Sequence, residues 1–168
     1  MVETNDRRLP VGIQSFEKIR KEGYLYVDKT DIIWQLANRN KTYHYLSRPR
    51  RFGKSVLVDT LEAYFLGKKE LFEGLKIMQL ETEWVKRPVI RLDMSRAGAE
   101  PETLRSYLNN IFRQYEKVYS LVPDPTDSLA DRFDAIIQTA YEQTGQQVAI
   151  LIDEYDSPLQ HSWKTPQH

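Results

Sequence analysis

Val148-Ala149-Ile150-Leu151-Ile152 is an unbroken apolar run that ends in Asp153-Glu154, and it most narrows what this chain can become. A strand apolar throughout is the mark of a parallel sheet buried between helices on both faces. Pro88-Val89-Ile90-Arg91-Leu92-Asp93 supplies a second strand, introduced by a proline and ended by an acid.

Helical periodicity fills the space between them. Pro101 is a favoured first-turn residue, and Leu104, Tyr107, Leu108, Ile111, Phe112 and Tyr115 recur behind it on one face. Val122-Pro123-Asp124-Pro125 breaks that helix. Another, from about Ser128, turns Leu129, Phe133, Ile136, Ile137, Ala140 and Tyr141 inward before Gly145. Strands alternating with helices define an α/β fold, a parallel sheet flanked by helices.

Upstream, Ser15 can cap a short helix that Gly23 ends. Tyr24 to Val27 favours extended backbone, and Asp28 to Asp31 offers caps for a helix with Ile32, Ile33, Leu36 and Ala37 inward. Tyr43-His44-Tyr45-Leu46 reads as a short strand, and a helix is expected from Gly53 through Val56, Leu57, Thr60, Leu61, Tyr64 and Phe65 to Gly67. The 168 residues are expected to form one domain, with 1–42 as a helical preamble and 43–168 running to the Asp-Glu strand.

Ser47-Arg48-Pro49-Arg50-Arg51-Phe52-Gly53-Lys54-Ser55 stands where a phosphate loop belongs, between an expected strand and an expected helix. Gly53 lets backbone approach a phosphate, Lys54 reaches the β and γ oxygens, and the Ser55 hydroxyl holds Mg²⁺. The helix beginning there adds the positive end of its dipole. The general pattern has glycine where Arg48 stands, and Pro49 has no N–H to donate. Arg50 and Arg51 can replace lost backbone donors with guanidinium charge. The expected binding segment is therefore Arg50, Arg51, Phe52, Gly53, Lys54, Ser55 and Val56.

Phosphate transfer also needs an acid at the end of an apolar strand. Asp153 is expected to act on the Mg²⁺ and Glu154 to polarise the attacking water as general base. This Asp-Glu pair points to ATP. Asp28-Lys29-Thr30-Asp31, the nearest imitation of a guanine-reading motif, has the wrong first residue and precedes the loop. Two readings stay open elsewhere. Asp93 either orients water or magnesium or caps a turn, and Phe16, Ile19 and Tyr26 either line an adenine pocket or pack a core.

Composition removes several classes. Lys and Arg number 24 against 24 Asp and Glu, so nucleic acid is not indicated by net charge, and any such binding must be local. There are no cysteines, which excludes disulfides, thiolate metal sites and a cysteine nucleophile and favours a reducing compartment. His44, His161 and His168 show no metal-ligand spacing. No signal-like core or stretch of roughly 18 apolar residues occurs, so a cytoplasmic protein with no membrane contact is expected.

Leu9-Pro10-Val11-Gly12, Tyr26-Val27-Asp28-Lys29-Thr30, the Ser47–Ser55 loop and Asp153-Glu154-Tyr155-Asp156 together resemble the predicted AAA-ATPase-like family of bacterial proteins. The resemblance spans nearly the whole chain and makes the arginine-rich loop a family trait. It implies a P-loop NTPase fold, ATP and Mg²⁺ as cofactors, and hydrolysis. It also implies a further ATPase half beyond the Asp-Glu strand, including a sensor strand, and often a restriction-endonuclease-like nuclease domain. On that reading the fold is incomplete at the C-terminus, turnover waits on the missing half, and an exposed sheet edge invites self-association or a partner. The rival reading is a non-catalytic module whose arginine loop grips nucleic acid phosphate.

Overall fold

The computed structural model describes residues 8–39, 43–47, 52–98 and 100–157. The chain is a mixed helix and strand protein whose contacts divide it into two units, Met1–Lys86 and Arg87–His168.

The first unit is helical. α1 (Phe16–Lys21) is capped by the Ser15 hydroxyl, which accepts the Lys18 N–H at 3.3 Å. It is followed by α2 (Thr30–Asn38), α3 (Lys54–Phe65) and two short 3-10 turns at Lys69–Phe72 and Lys76–Gln79. Their core is Phe16, Ile33, Ala63, Tyr64, Leu71, Phe72, Leu75 and Ile77. Each fully buried large side chain contributes about 1.5–3 kcal/mol. Only Ile33 of the neighbouring isoleucines faces this core, and Ile32 is 43% exposed. Successive helical residues point about 100° apart, so both cannot be inward.

Long-range bonds tie the unit together. The Phe16 N–H donates to Asp59 Oδ2 at 2.6 Å, and Arg20 Nε donates to the Leu71 carbonyl at 2.8 Å. Asp28 accepts the N–H and hydroxyl of Thr30 at 2.9 and 2.7 Å and the Lys76 N–H at 2.8 Å. The Thr30 hydroxyl oxygen in turn accepts the Ile77 N–H at 3.1 Å. Asp28-Lys29-Thr30 is thus a clasp between the start of α2 and the second 3-10 turn. Burial pushes the Asp28 carboxyl up, but the bonds from Thr30 and Lys76 outweigh it and hold the group below its ordinary value.

The second unit contains the small parallel sheet. β1 (Val89–Asp93) pairs with β2 (Ala149–Asp153) in a register running from Val89 opposite Ala149 to Asp93 opposite Asp153. Between them run α4 (Pro101–Val118) and α5 (Leu129–Thr144), with Pro101 in the first turn of α4 and a Ser128–Asp131 capping box opening α5. Ile90, Leu92, Phe112 and Ile136 form the core, and the rings of Phe112 and Phe133 stack at 5.3 Å. Behind them Arg132 makes a forked pair with Glu116, at 2.7 and 3.0 Å, with both side chains largely buried.

Tyrosines of α4 close one side of β1. The Arg91 N–H donates to the Tyr115 hydroxyl at 2.8 Å and the Asp93 N–H to that of Tyr107 at 2.9 Å. Backbone donors that an edge strand would leave open are satisfied by the helix.

Three expectations are corrected. Tyr43–Leu46 is not a strand: Tyr43 is 91% exposed and Tyr45 70%. Among the described residues β1 and β2 pair only with each other, and a strand needs a neighbouring strand to form a ladder. The β2 run is not covered on both faces, since Ile150 and Ile152 are 40% and 49% exposed while Leu151 is buried; strand alternation gives the core only every second residue. Tyr141 on α5 is also exposed rather than inward.

Candidate functional site

α3 opens in an unusual way. Its N-cap is Gly53, at φ 76° and ψ 21°, and among the described residues no side chain caps the helix. The left-handed conformation is one that glycine adopts without Cβ strain. The Gly53 carbonyl accepts the Leu57 N–H at 3.0 Å, so the helix starts directly at Lys54 and Ser55. First-turn N–H groups have no intrahelical acceptor and lie at the positive end of the dipole.

Among the described residues nothing lies within 4 Å of where a Cβ on Gly53 would stand. Phe52 is 63% exposed, whereas Lys54, Ser55 and Val56 are half-buried. Farther along, Thr60 donates its hydroxyl to the Val56 carbonyl at 2.7 Å, and Asp59 holds α1 as described. The helix start is therefore backed by a fixed helix body. Arg50 and Arg51, with Arg48 and Pro49, lie outside the described residues.

Phe16 and Ile19 are buried, at 0% and 2% exposure, and the Phe16 ring lies 5.1 Å from that of Tyr26 and 4.9 Å from that of Phe72. Of the two readings of these residues, core packing is the one observed. Burial raises the Tyr26 phenol above its ordinary value.

In the second unit Asp153 ends β2 with 7% exposure, and its Oδ1 accepts the Glu154 N–H at 3.0 Å. Glu154 has φ +50°, a conformation that costs a residue with a Cβ about 1 kcal/mol. Strand geometry thus gives way at the acid expected to act as base. No sequence signal announces this, because glutamate is not a residue that favours left-handed backbone.

Asp93 stands opposite Asp153 at the same end of the sheet. Its Oδ1 accepts the N–H and hydroxyl of Ser95 at 3.1 and 2.6 Å, so of its two readings the turn cap is the one the geometry displays. Tyr107, which reading the sequence placed only in the core, bonds the Asp93 backbone. Burial raises its phenol, the Asp93 N–H opposes that rise, the Asp93 carboxylate adds to it and Arg96 counters it.

Among the described residues no group of three or more His, Cys, Asp or Glu side chains could hold a metal. Ser55 and Asp153, the two residues expected to serve a metal, each carry an oxygen donor and belong to different units. No described helix is long and apolar enough to cross a membrane.

A helix that starts directly behind Gly53, and a small parallel sheet flanked by helices whose second strand ends at Asp153, are the features on which the chain can be compared with known proteins. The chain belongs to the Predicted AAA-ATPase family, whose profile matches residues 10–168. It is 35% identical over 164 residues to a protein of Azotobacter chroococcum mcd 1 described as "Uncharacterized protein in vnfD 5'region". That alignment covers 96% of this chain and 31% of the relative, so the chain spans about a third of the length of the protein it matches. No solved structure matches.

Proposed function

We propose that this chain is the ATP-Mg²⁺ binding part of a P-loop ATPase. The observation that carries the reading is Gly53 in left-handed backbone at the start of α3, with no described residue within 4 Å of a Cβ placed on it and with Lys54 and Ser55 as the next two residues. Phosphate-binding loops need these properties: close backbone approach, unsatisfied N–H groups and a lysine at the helix start.

Arg50, Arg51, Phe52, Gly53, Lys54, Ser55 and Val56 form the phosphate-binding segment. Ser55 and Asp153 serve the metal, Lys54 neutralises charge developing on the transferred phosphoryl group, and Glu154 accepts a proton from the attacking water. Bound Mg²⁺ supplies electrostatic stabilisation of that group. Hydrolysis on this reading requires a further ATPase half beyond the Asp-Glu strand, and this chain supplies the loop and the acids. A cytoplasmic location accords with the absence of cysteine.

Isothermal titration with a non-hydrolysable ATP analogue and Mg²⁺ tests the reading. Wild-type binding that Lys54→Ala abolishes supports it. Equal heats from both proteins, or none from wild type, overturn it for this chain.

A further inference from the structure

A second candidate site lies wholly within the Arg87–His168 unit, on the outer side of α4. A groove of about 510 Å³ is lined by Arg96, Tyr107, Asn110, Arg113, Gln114 and Lys117, together with one isoleucine. Three cations and two amides converge there, and no acid lines it. Among the described residues none of the three cations stands in a salt bridge. The acid of this helix nearest in sequence to Lys117, Glu116, is buried against Arg132 instead. In a chain whose charges balance overall, this is a local concentration of positive charge.

Spacing and the aromatic ring say what fits. Arg113 and Lys117 are one helical turn apart, about 6 Å along the axis, so they can meet successive charges on an extended polyanion. Tyr107 lines the groove, and its hydroxyl oxygen accepts the Asp93 N–H at 2.9 Å. A cationic track beside an aromatic face is how single strands are held: phosphates on the cations, a base stacked on the ring. An acidic peptide would use the cations and leave the ring idle.

We infer that the α4 groove binds single-stranded nucleic acid through its phosphodiester backbone, with one base stacked on Tyr107. None of the groove residues belongs to the proposed phosphate-binding segment or to the Asp153-Glu154 pair.

Fluorescence anisotropy of a labelled mixed-sequence 12-mer, titrated with the 168-residue chain across a salt series, tests it. Three phosphate contacts predict a log-affinity against log-salt slope of about −2. R96A/R113A/K117A should weaken binding at least tenfold and flatten the slope. Tyr107→Ala should weaken it about tenfold while Tyr107→Phe, which keeps the ring, stays near wild type. Circular dichroism checks folding, and Arg113→Gln and Lys117→Gln taken singly replace the triple variant if it does not fold. The inference is overturned by absence of binding, by affinity unchanged in these variants, or by loss confined to R50A/R51A/K54A. Competition by polyglutamate of matched charge as effective as that by unlabelled oligonucleotide also overturns it.

Discussion

Asp93 and Asp153 occupy paired positions at the carboxyl ends of β1 and β2, yet they have different work. Asp93 is engaged by Ser95 in a turn, whereas Asp153 is nearly buried and bonded to the N–H of the residue that follows it. Asp93→Ala is expected to lower unfolding stability by about 1 kcal/mol through the lost cap and to leave nucleotide affinity unchanged. Asp153→Asn should leave urea stability near wild type and weaken Mg²⁺-dependent analogue binding about tenfold. Urea titration and calorimetry on both variants separate the two roles; matching profiles would contradict the assignment.

The clasp at Asp28 predicts a response to acid. Its folded carboxyl sits below its ordinary value, so the unfolded state binds the proton more readily. The contribution is complete above the unfolded value near pH 4 and disappears as pH falls through the lower folded value. Asp28→Asn should cost about 1–2 kcal/mol at neutral pH and flatten the acid limb of the stability curve. Thermal melts from pH 7 down to 2 measure both, and an unchanged acid limb would show that other carboxylates govern it.

Backbone strain at Glu154 can be measured without its side chain. Glu154→Gly and Glu154→Ala both remove the carboxylate and differ in what φ +50° costs. The glycine variant should be the more stable by about 1 kcal/mol in chemical denaturation. Equal stabilities would mean that the turn relaxes freely and stores nothing.

Arg132 and Glu116 offer a further test. Removing one partner leaves a buried charge, so Glu116→Met is expected to destabilise by about 3–5 kcal/mol. The double variant Glu116→Met/Arg132→Met should recover much of that loss, because neither charge remains. A double-mutant cycle from denaturation midpoints gives the coupling, and additive losses would show that the fork contributes packing alone.

Legibility from sequence followed the strength of the local signal. α4 and α5 were readable because proline, a capping serine and helical apolar spacing agree over four or more turns. The two strands were readable from apolar runs with acidic ends, although burial of alternate residues on β2 was not, since composition cannot say which face a helix covers. Tyr43–Leu46 misled because aromatic alternation resembles a strand whether or not a neighbour pairs with it. At the candidate site Gly53, Lys54 and Ser55 could be placed at a helix start from spacing. The left-handed turn at Glu154 could not, because glutamate does not favour that backbone, nor could the bond from Asp93 to Tyr107, which joins residues 14 apart in the chain.

The ties of the first unit also bear on how the chain is made. Phe16 waits for Asp59, Arg20 for Leu71, and Asp28 for Lys76, separations of 43, 51 and 48 residues. A polypeptide leaving the ribosome therefore exposes Phe16, Ile19 and Ile33 before any of their burial partners beyond residue 60 has been synthesised. Synthesis at about 5–20 residues per second makes that interval a few seconds long. In that window the short α1 and α2, too brief to persist alone, are the part of the nascent chain most open to chaperone capture.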